Sequence, residues 1–282
     1  MYMKQTVMSI DLFNGDQWVV YLSTAFGIQI LGYLLSVFVL QSEVCFDLFG
    51  SITFCLVALE SYNSNSLPSQ IATLLVIIWA CRLGSFLFFR VLKTGGDSRF
   101  EKIRSDRIAF FVAWMMQGVW VTVTLLPLCV VTTGDVVRQW QIVAGVGVWC
   151  LGFLMECVAD AQKFAFKLRP ENAGRIIRVG VWNWCKYPNY LGEIILWCGV
   201  CITCTSSLDD IVSSWDILAL SLLSPIFVTT LLCFVSGIPI QERQARARWG
   251  EAWENDDRNI LIPSWSRICM WNTRELGGSL QN

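Results

Sequence analysis

The chain has 282 residues, 55% of them hydrophobic and 15% charged, with a formal net charge of −1. Soluble domains carry about a quarter charged residues, so lipid is the expected solvent, and nucleic acid is not expected as a partner. Histidine is absent, which removes Ser-His and Cys-His catalytic pairs and the commonest zinc ligand; no metal site is expected, and proton chemistry is left to Tyr, Asp, Glu, Lys or water.

Residues 1–16 are mixed and polar, and the apolar run behind them is too long for the core of a signal peptide, so the first span is expected to act as its own insertion signal. Apolar runs predict spans over Trp18–Leu40, Val44–Leu59, Ile71–Leu92, Ile108–Val131, Trp140–Ala159, Pro188–Cys204 and Trp215–Ser236. The expectation is an all-α polytopic bundle of about seven transmembrane helices plus a C-terminal interfacial helix, forming one membrane domain over residues 1–282. Val44–Leu59 and Pro188–Cys204 are short for a crossing.

Basic residues supply a prediction of orientation. Of the 21 Lys and Arg, 17 fall in three segments, Lys93–Arg107, Lys163–Lys186 and Arg243–Arg274, which follow the third, fifth and seventh predicted spans. All three then share one face, which the positive-inside rule makes cytosolic together with the C-terminus. The loops Ser61–Gln70 and Ser206–Ser214 carry no basic residue. In a eukaryotic cell the endoplasmic reticulum or another internal membrane is the expected location.

Ten of the 12 cysteines lie in or at the ends of apolar runs, where they behave as small hydrophobes. Cys201 and Cys204 have CxxC spacing, but no second pair accompanies them, and helix packing is the better reading. Gly145, Gly147 and Gly152 miss the dinucleotide-turn spacing and sit in an apolar run, so they predict close helix contact. No internal repeat of the kind common in transporters is evident.

The stretch from Met155 to Trp197 concentrates polar groups where lipid should begin. At about 100° per residue, Glu156, Asp160, Lys163 and Lys167 fall within about 60° of one another on one helix face. Two readings stand: a site with depth, or helix-end salt bridges with snorkelling lysines. Arg169, Arg175 and Arg178 follow in a loop with Gly174 and Gly180, a composition suited to phosphates and equally expected of a cytosolic loop. Pro188 suits a first helical turn, which would then carry Asn189 and Glu193 on one face. A glutamate in a membrane helix demands a partner, either Arg175, Arg178 or a ligand amide.

After the last span, residues from Gly237 predict an interfacial helix in which Arg243, Arg246, Arg248, Trp249 and Trp253 anchor at headgroups, with Glu242 at its membrane end. In the first half, Asp47 in the second span is expected to pair with Arg82 or Arg90 in the third.

These residues, taken together, resemble the membrane proteins grouped with the steroid 5-alpha-reductase C-terminal domain, specifically the DUF1295 branch. The resemblance spans residues 44–265, with a cofactor-binding part over 150–265. It rests on Asp47, Arg82, Arg90, the Gly96–Arg99 turn, Leu151-Gly152-Phe153, Ala159-Asp160, Gly180-Val181-Trp182, the run Tyr187–Glu193, Val235–Pro239 with Glu242, and Leu261-Ile262-Pro263. It implies a helix bundle that binds NADPH through its C-terminal half and reduces a carbon–carbon double bond conjugated to a carbonyl in a hydrophobic lipid. Asp160, Lys167, Arg175, Asn189 and Glu193 are the cofactor-binding residues the resemblance implies; Lys163, Arg178, Tyr190, Glu242 and Arg243, from the same polar segments, complete the candidate cofactor-binding set. Tyr187 stands where the family usually has histidine, and the Glu and Tyr that characterised steroid enzymes supply from their N-terminal half have no clear counterpart; Asp47 and Tyr187 are the candidates for polarising the carbonyl.

Two other readings remain. Isoprenylcysteine carboxyl methyltransferases look similar over the C-terminal motifs and use S-adenosylmethionine, and a non-catalytic membrane scaffold would keep the fold without the site. Phosphates favour the loop arginines, whereas a cationic sulfonium does not.

Overall fold

A computed structural model describes residues 15–97, 99–100, 103–131, 137–208 and 214–263. Residues 1–14, Ser98, Lys102, the loop residues 209–213, Trp265, Arg267 and Arg274 entered the sequence reading and lie outside the described residues.

Helices follow in the order α1 (Gly15–Leu35), α2 (Phe46–Glu60), α3 (Leu67–Thr94), α4 (Arg107–Thr124), α5 (Leu126–Cys129), α6 (Gln139–Leu168), α7 (Pro188–Cys204), α8 (Trp215–Thr230), α9 (Ile238–Trp249) and α10 (Glu251–Glu254), with no strand among the described residues. Local chemistry sets their ends. Ser66 caps α3, its side chain accepting from the Ser69 N–H, with Pro68 in the first turn. Gly95, at φ 78°, stops the same helix in a conformation other side chains resist. Asp106 caps α4 by accepting from the Ile108 and Ala109 N–H groups at 2.9 and 3.1 Å.

Among the described residues, six helices are long and apolar enough to cross a membrane: Gly15–Leu40, Leu67–Thr94, Arg107–Thr124, Gln139–Leu168, Pro188–Ser207 and Trp215–Trp249. The expected second span differs. α2 has 15 residues, about 22 Å at the helical rise, against a hydrocarbon layer of about 30 Å. It starts after the turn holding Glu43 and stops at Ser61, whose hydroxyl donates to the Ala58 carbonyl at 3.0 Å. The fourth expected span breaks at Leu125 into α4 and α5, with Pro127 opening the short piece. α6 runs nine residues past its expected end at Ala159, so Asp160, Lys163 and Lys167 are all on regular helix.

The chain divides into two compact units, Met1–Asp135 with Asp209–Ser221, and Val136–Leu208 with Leu222–Asn282; α8 starts in the first and ends in the second. In the first unit, Trp114 of α4 is fully buried and meets Phe46 and Phe49 of α2 at ring-centroid distances of 4.9 and 5.8 Å. Phe54 sits edge-on to Trp79 of α3 at 5.0 Å. Edge-to-face rings add about 1 kcal/mol each beyond their burial.

In the second unit α6 and α7 lie backbone against backbone. A Cβ placed on Gly152 would fall 2.5 Å from the Gly192 carbonyl oxygen, and one on Gly199 would fall 2.5 Å from the Trp149 nitrogen. Gly145 meets the same helix, so two of the three glycines singled out for helix contact make it. Gly147 has open space instead. The contact fixes where α6 delivers its polar end and where α7 begins.

Candidate functional site

The second unit contains an open cleft of about 170 Å³. Six cationic side chains line it: Lys163 and Lys167 from the end of α6, Arg175 and Lys186 from the connection to α7, Arg248 of α9 and Arg258 beyond α10. No carboxylate belongs to that lining. The walls are aromatic, with Trp182, Trp249, Trp253 and Tyr187 among them. Lys163 and Lys186 rest over the Trp182 and Trp253 rings at 4.9 and 4.6 Å, contacts that hold a cation in place without neutralising it.

The segment after α10 folds back to build the floor. Lys186 and Tyr187 donate their backbone N–H groups to the carbonyls of Asn259 and Ile260 at 2.9 and 3.1 Å. Arg258, almost wholly buried, donates to the carbonyls of Ile177 at 2.8 Å and of Trp182, and through Nε to Asp256 at 2.9 Å. Burial disfavours the Asp256 carboxylate, but the Arg258 guanidinium and its hydrogen bonds outweigh that and hold the group below the usual carboxylate range.

Glu242 ties two walls together. It accepts from the Tyr187 hydroxyl at 2.9 Å and from the Trp253 indole N–H at 3.0 Å. Burial and then the Glu242 carboxylate push the Tyr187 phenol well above its ordinary range, so it stays protonated with its proton directed at Glu242. The ring of Tyr187 stacks on Tyr190 at 5.6 Å.

Of the residues expected to bind a cofactor, Lys163, Lys167 and Arg175 line the cleft, as does Tyr187. Asp160 is buried one turn before Lys163, outside the lining. Asn189 and Glu193 sit on α7, also outside it; the Asn189 Oδ1 is buried with no hydrogen-bond partner among the described residues. Tyr190 and Glu242 act through Tyr187 and Trp253 as described. Arg178, offered as a partner for Glu193 and as a phosphate ligand, pairs with Asp256 at 3.5 Å. Arg243 is exposed on α9 and does not reach the lining.

Asp47 belongs to the first unit, where Arg99 reaches it at 2.6 Å and Arg90 at 4.0 Å. Arg99 and Arg90 also bind Asp97, and Arg104 binds Glu43 at 3.0 Å. Burial opposes ionisation of Asp97 and Glu43, but their arginine and backbone partners hold both carboxyls below their ordinary values. The pairing of Asp47 with Arg90 was expected; Arg99 as its nearer partner was not.

Trp249 and Trp253, expected as headgroup anchors, line the cleft. Both turn inward, Trp249 donating to the Gly174 carbonyl at 2.6 Å and Trp253 to Glu242, because each indole N–H finds an acceptor there. Lys186, Arg248 and Arg258 line the cleft without having been expected to bind a cofactor, and Trp182 was named only within the motif that carries the resemblance. Lys186 adjoins the Tyr-Pro-Asn motif and could have been found from it, whereas nothing in the local pattern around Arg258 announces that its segment returns to the loop after α6.

Among the described residues, no group of three or more His, Cys, Asp or Glu side chains is placed to hold a metal ion. No curated protein and no solved structure matches the chain. A model of proteins of unknown function, DUF1295, matches residues 33–257, close to the expected 44–265, and the chain belongs to that family.

Proposed function

We propose that this protein is an NADPH-dependent reductase of a conjugated carbon–carbon double bond in a hydrophobic lipid, a steroid or isoprenoid enone. The observation that carries the reading is the cleft with six cations, no carboxylate in its lining and indole walls. A ligand that satisfies it bears several negative charges and flat rings, which describes a phosphorylated dinucleotide. S-adenosylmethionine brings a sulfonium cation and no phosphate, which suits a lining rich in Lys and Arg less well.

The residues present fit that cofactor. Lys163, Lys167 and Arg175 would hold its phosphates, with Arg248 and Lys186 at the opposite wall, and the Trp249 and Trp253 rings offer faces for a base. When bound, the cofactor supplies a hydride to the β-carbon of the enone. Tyr187, its proton committed to Glu242, serves as wall and support, and the cations of the lining would stabilise the negative charge that develops on the enone oxygen. The cleft and the C-terminus face the cytosol, where the phosphorylated dinucleotide is found; labelling of an introduced Cys at Gln244 by an impermeant reagent in sealed vesicles checks this.

Thermal melts of the full chain in detergent test the cofactor. NADPH at millimolar concentration raises the melting temperature, NADH raises it less and S-adenosylmethionine leaves it unchanged. Arg175→Ala weakens NADPH more than NADH if Arg175 reads the extra phosphate. Absence of any shift with NADPH overturns the reading.

A further inference from the structure

A second chemical site lies in the first unit, where α2 and α3 pack closely. A Cβ placed on Gly84 of α3 would fall 2.5 Å from the Ser51 Cβ of α2, so the missing side chain sets the spacing of the two helices. One turn along, the Sγ atoms of Cys55 and Cys81 are 3.9 Å apart. Phe54 and Trp79 interlock beside them at 5.0 Å, and the Thr73 hydroxyl reaches the Ala58 carbonyl at 3.4 Å. The proximity of the thiols thus follows from helix packing on both sides of the pair.

Closing a disulfide requires the sulfurs to approach to about 2.05 Å, a shift of roughly 2 Å from their present separation. Cys81 is exposed on a spanning helix, and Ile78 one turn before it, with Ile52 and Leu56 beside Cys55 in sequence on α2, are exposed apolar side chains. An oxidant that reaches this surface partitions into hydrocarbon rather than water.

We propose that Cys55 and Cys81 form an oxidisable dithiol that reacts with lipid hydroperoxides and closes to a disulfide joining α2 to α3. In the first step the Cys81 sulfur takes the terminal peroxide oxygen; the O–O bond breaks, the lipid leaves as its alcohol with the thiol proton, and Cys81 becomes a sulfenic acid. In the second the Cys55 sulfur attacks that sulfur, the S–S bond forms, the S–O bond breaks and water leaves with the second proton. Two thiols lose two electrons, and one hydroperoxide is reduced to an alcohol and water.

The test uses the full chain reconstituted in phosphatidylcholine vesicles, exposed to cumene hydroperoxide or to hydrogen peroxide at equal concentration, then alkylated, digested and analysed by mass spectrometry. The expected result is a Cys55–Cys81 linked peptide that dominates all other cysteine pairs, with both residues losing alkylation together and a higher yield from cumene hydroperoxide. Cys55→Ser and Cys81→Ser each abolish that peptide. Retention of alkylation at both positions, or links from either residue to other cysteines in similar yield, overturns the dithiol. Equal yields from the two peroxides overturn the lipid-phase oxidant.

Discussion

Glu242 illustrates how one carboxylate organises a site without belonging to its lining. The Tyr187 hydroxyl and the Trp253 indole both donate to it, and each belongs to a wall of the cleft. In Glu242→Gln one of the two oxygens becomes an NH2 group that cannot accept, so one wall loses its tie. Hydrogen bonds to charged acceptors contribute about 1.5–3 kcal/mol; the variant is expected to lose stability of that order in detergent melts and to bind NADPH more weakly. Unchanged stability and affinity would contradict the tie. Asp256 gives a prediction in pH. Its carboxyl is held below its ordinary value of 3.8 by Arg258, so its contribution is fully present above that value and is lost as pH falls through the lower folded one. Melting temperature should therefore fall below about pH 4, and Asp256→Asn, already less stable near neutrality, should show a shallower fall. Glu43 and Asp97 act in the same direction, which leaves the variant some acid dependence.

Glycine spacing accounts for the pairing of α6 and α7. Gly152 meets the Gly192 carbonyl and Gly199 meets the Trp149 nitrogen, so neither position admits a side chain without parting the helices. Overpacking costs about 1–3 kcal/mol and sometimes more. Gly152→Ala should lower the melting temperature, whereas Gly147→Ala, in open space, should leave it unchanged or raise it, since alanine is the better helix former by about 1 kcal/mol. Equal effects would contradict the close crossing. At this scale much was legible in the sequence. Apolar runs located the spanning helices, and Pro188 marked the start of α7. Pattern also marked Val44–Leu59 as short for a crossing, and α2 is held to 15 residues by the Glu43 turn and Ser61; it did not mark the break at Leu125, where one apolar run becomes α4 and α5.

On the scale of the whole chain, the two units use their charges differently. In the first, arginines and carboxylates pair off at the ends of α2 and α3. In the second, cations gather around a cleft with no carboxylate in its lining; one of them, Arg258, pairs with the buried Asp256, which Arg178 also reaches, and Glu242 accepts from Tyr187 and Trp253. The sequence disclosed Lys163, Lys167 and Arg175 through helical spacing and loop composition. It did not disclose Arg258, because the return of the chain after α10 to Ile177 and Trp182 is a contact distant in sequence. Nor did it separate Arg178 and Arg243 from the true lining, since a basic loop and a basic helix read alike until their side chains have directions.

Transfer of deuterium tests the central claim most directly. The full chain in proteoliposomes is given NADPH deuterated at its transferable position together with a membrane-soluble enone, a steroid or a polyprenal, and the lipid is recovered for mass spectrometry. The account predicts a saturated product carrying one deuterium, formed with NADPH and lost in Lys167→Ala/Arg175→Ala. NADPH that binds without deuterium reaching either class of enone, or product formed equally by that double variant, would contradict it.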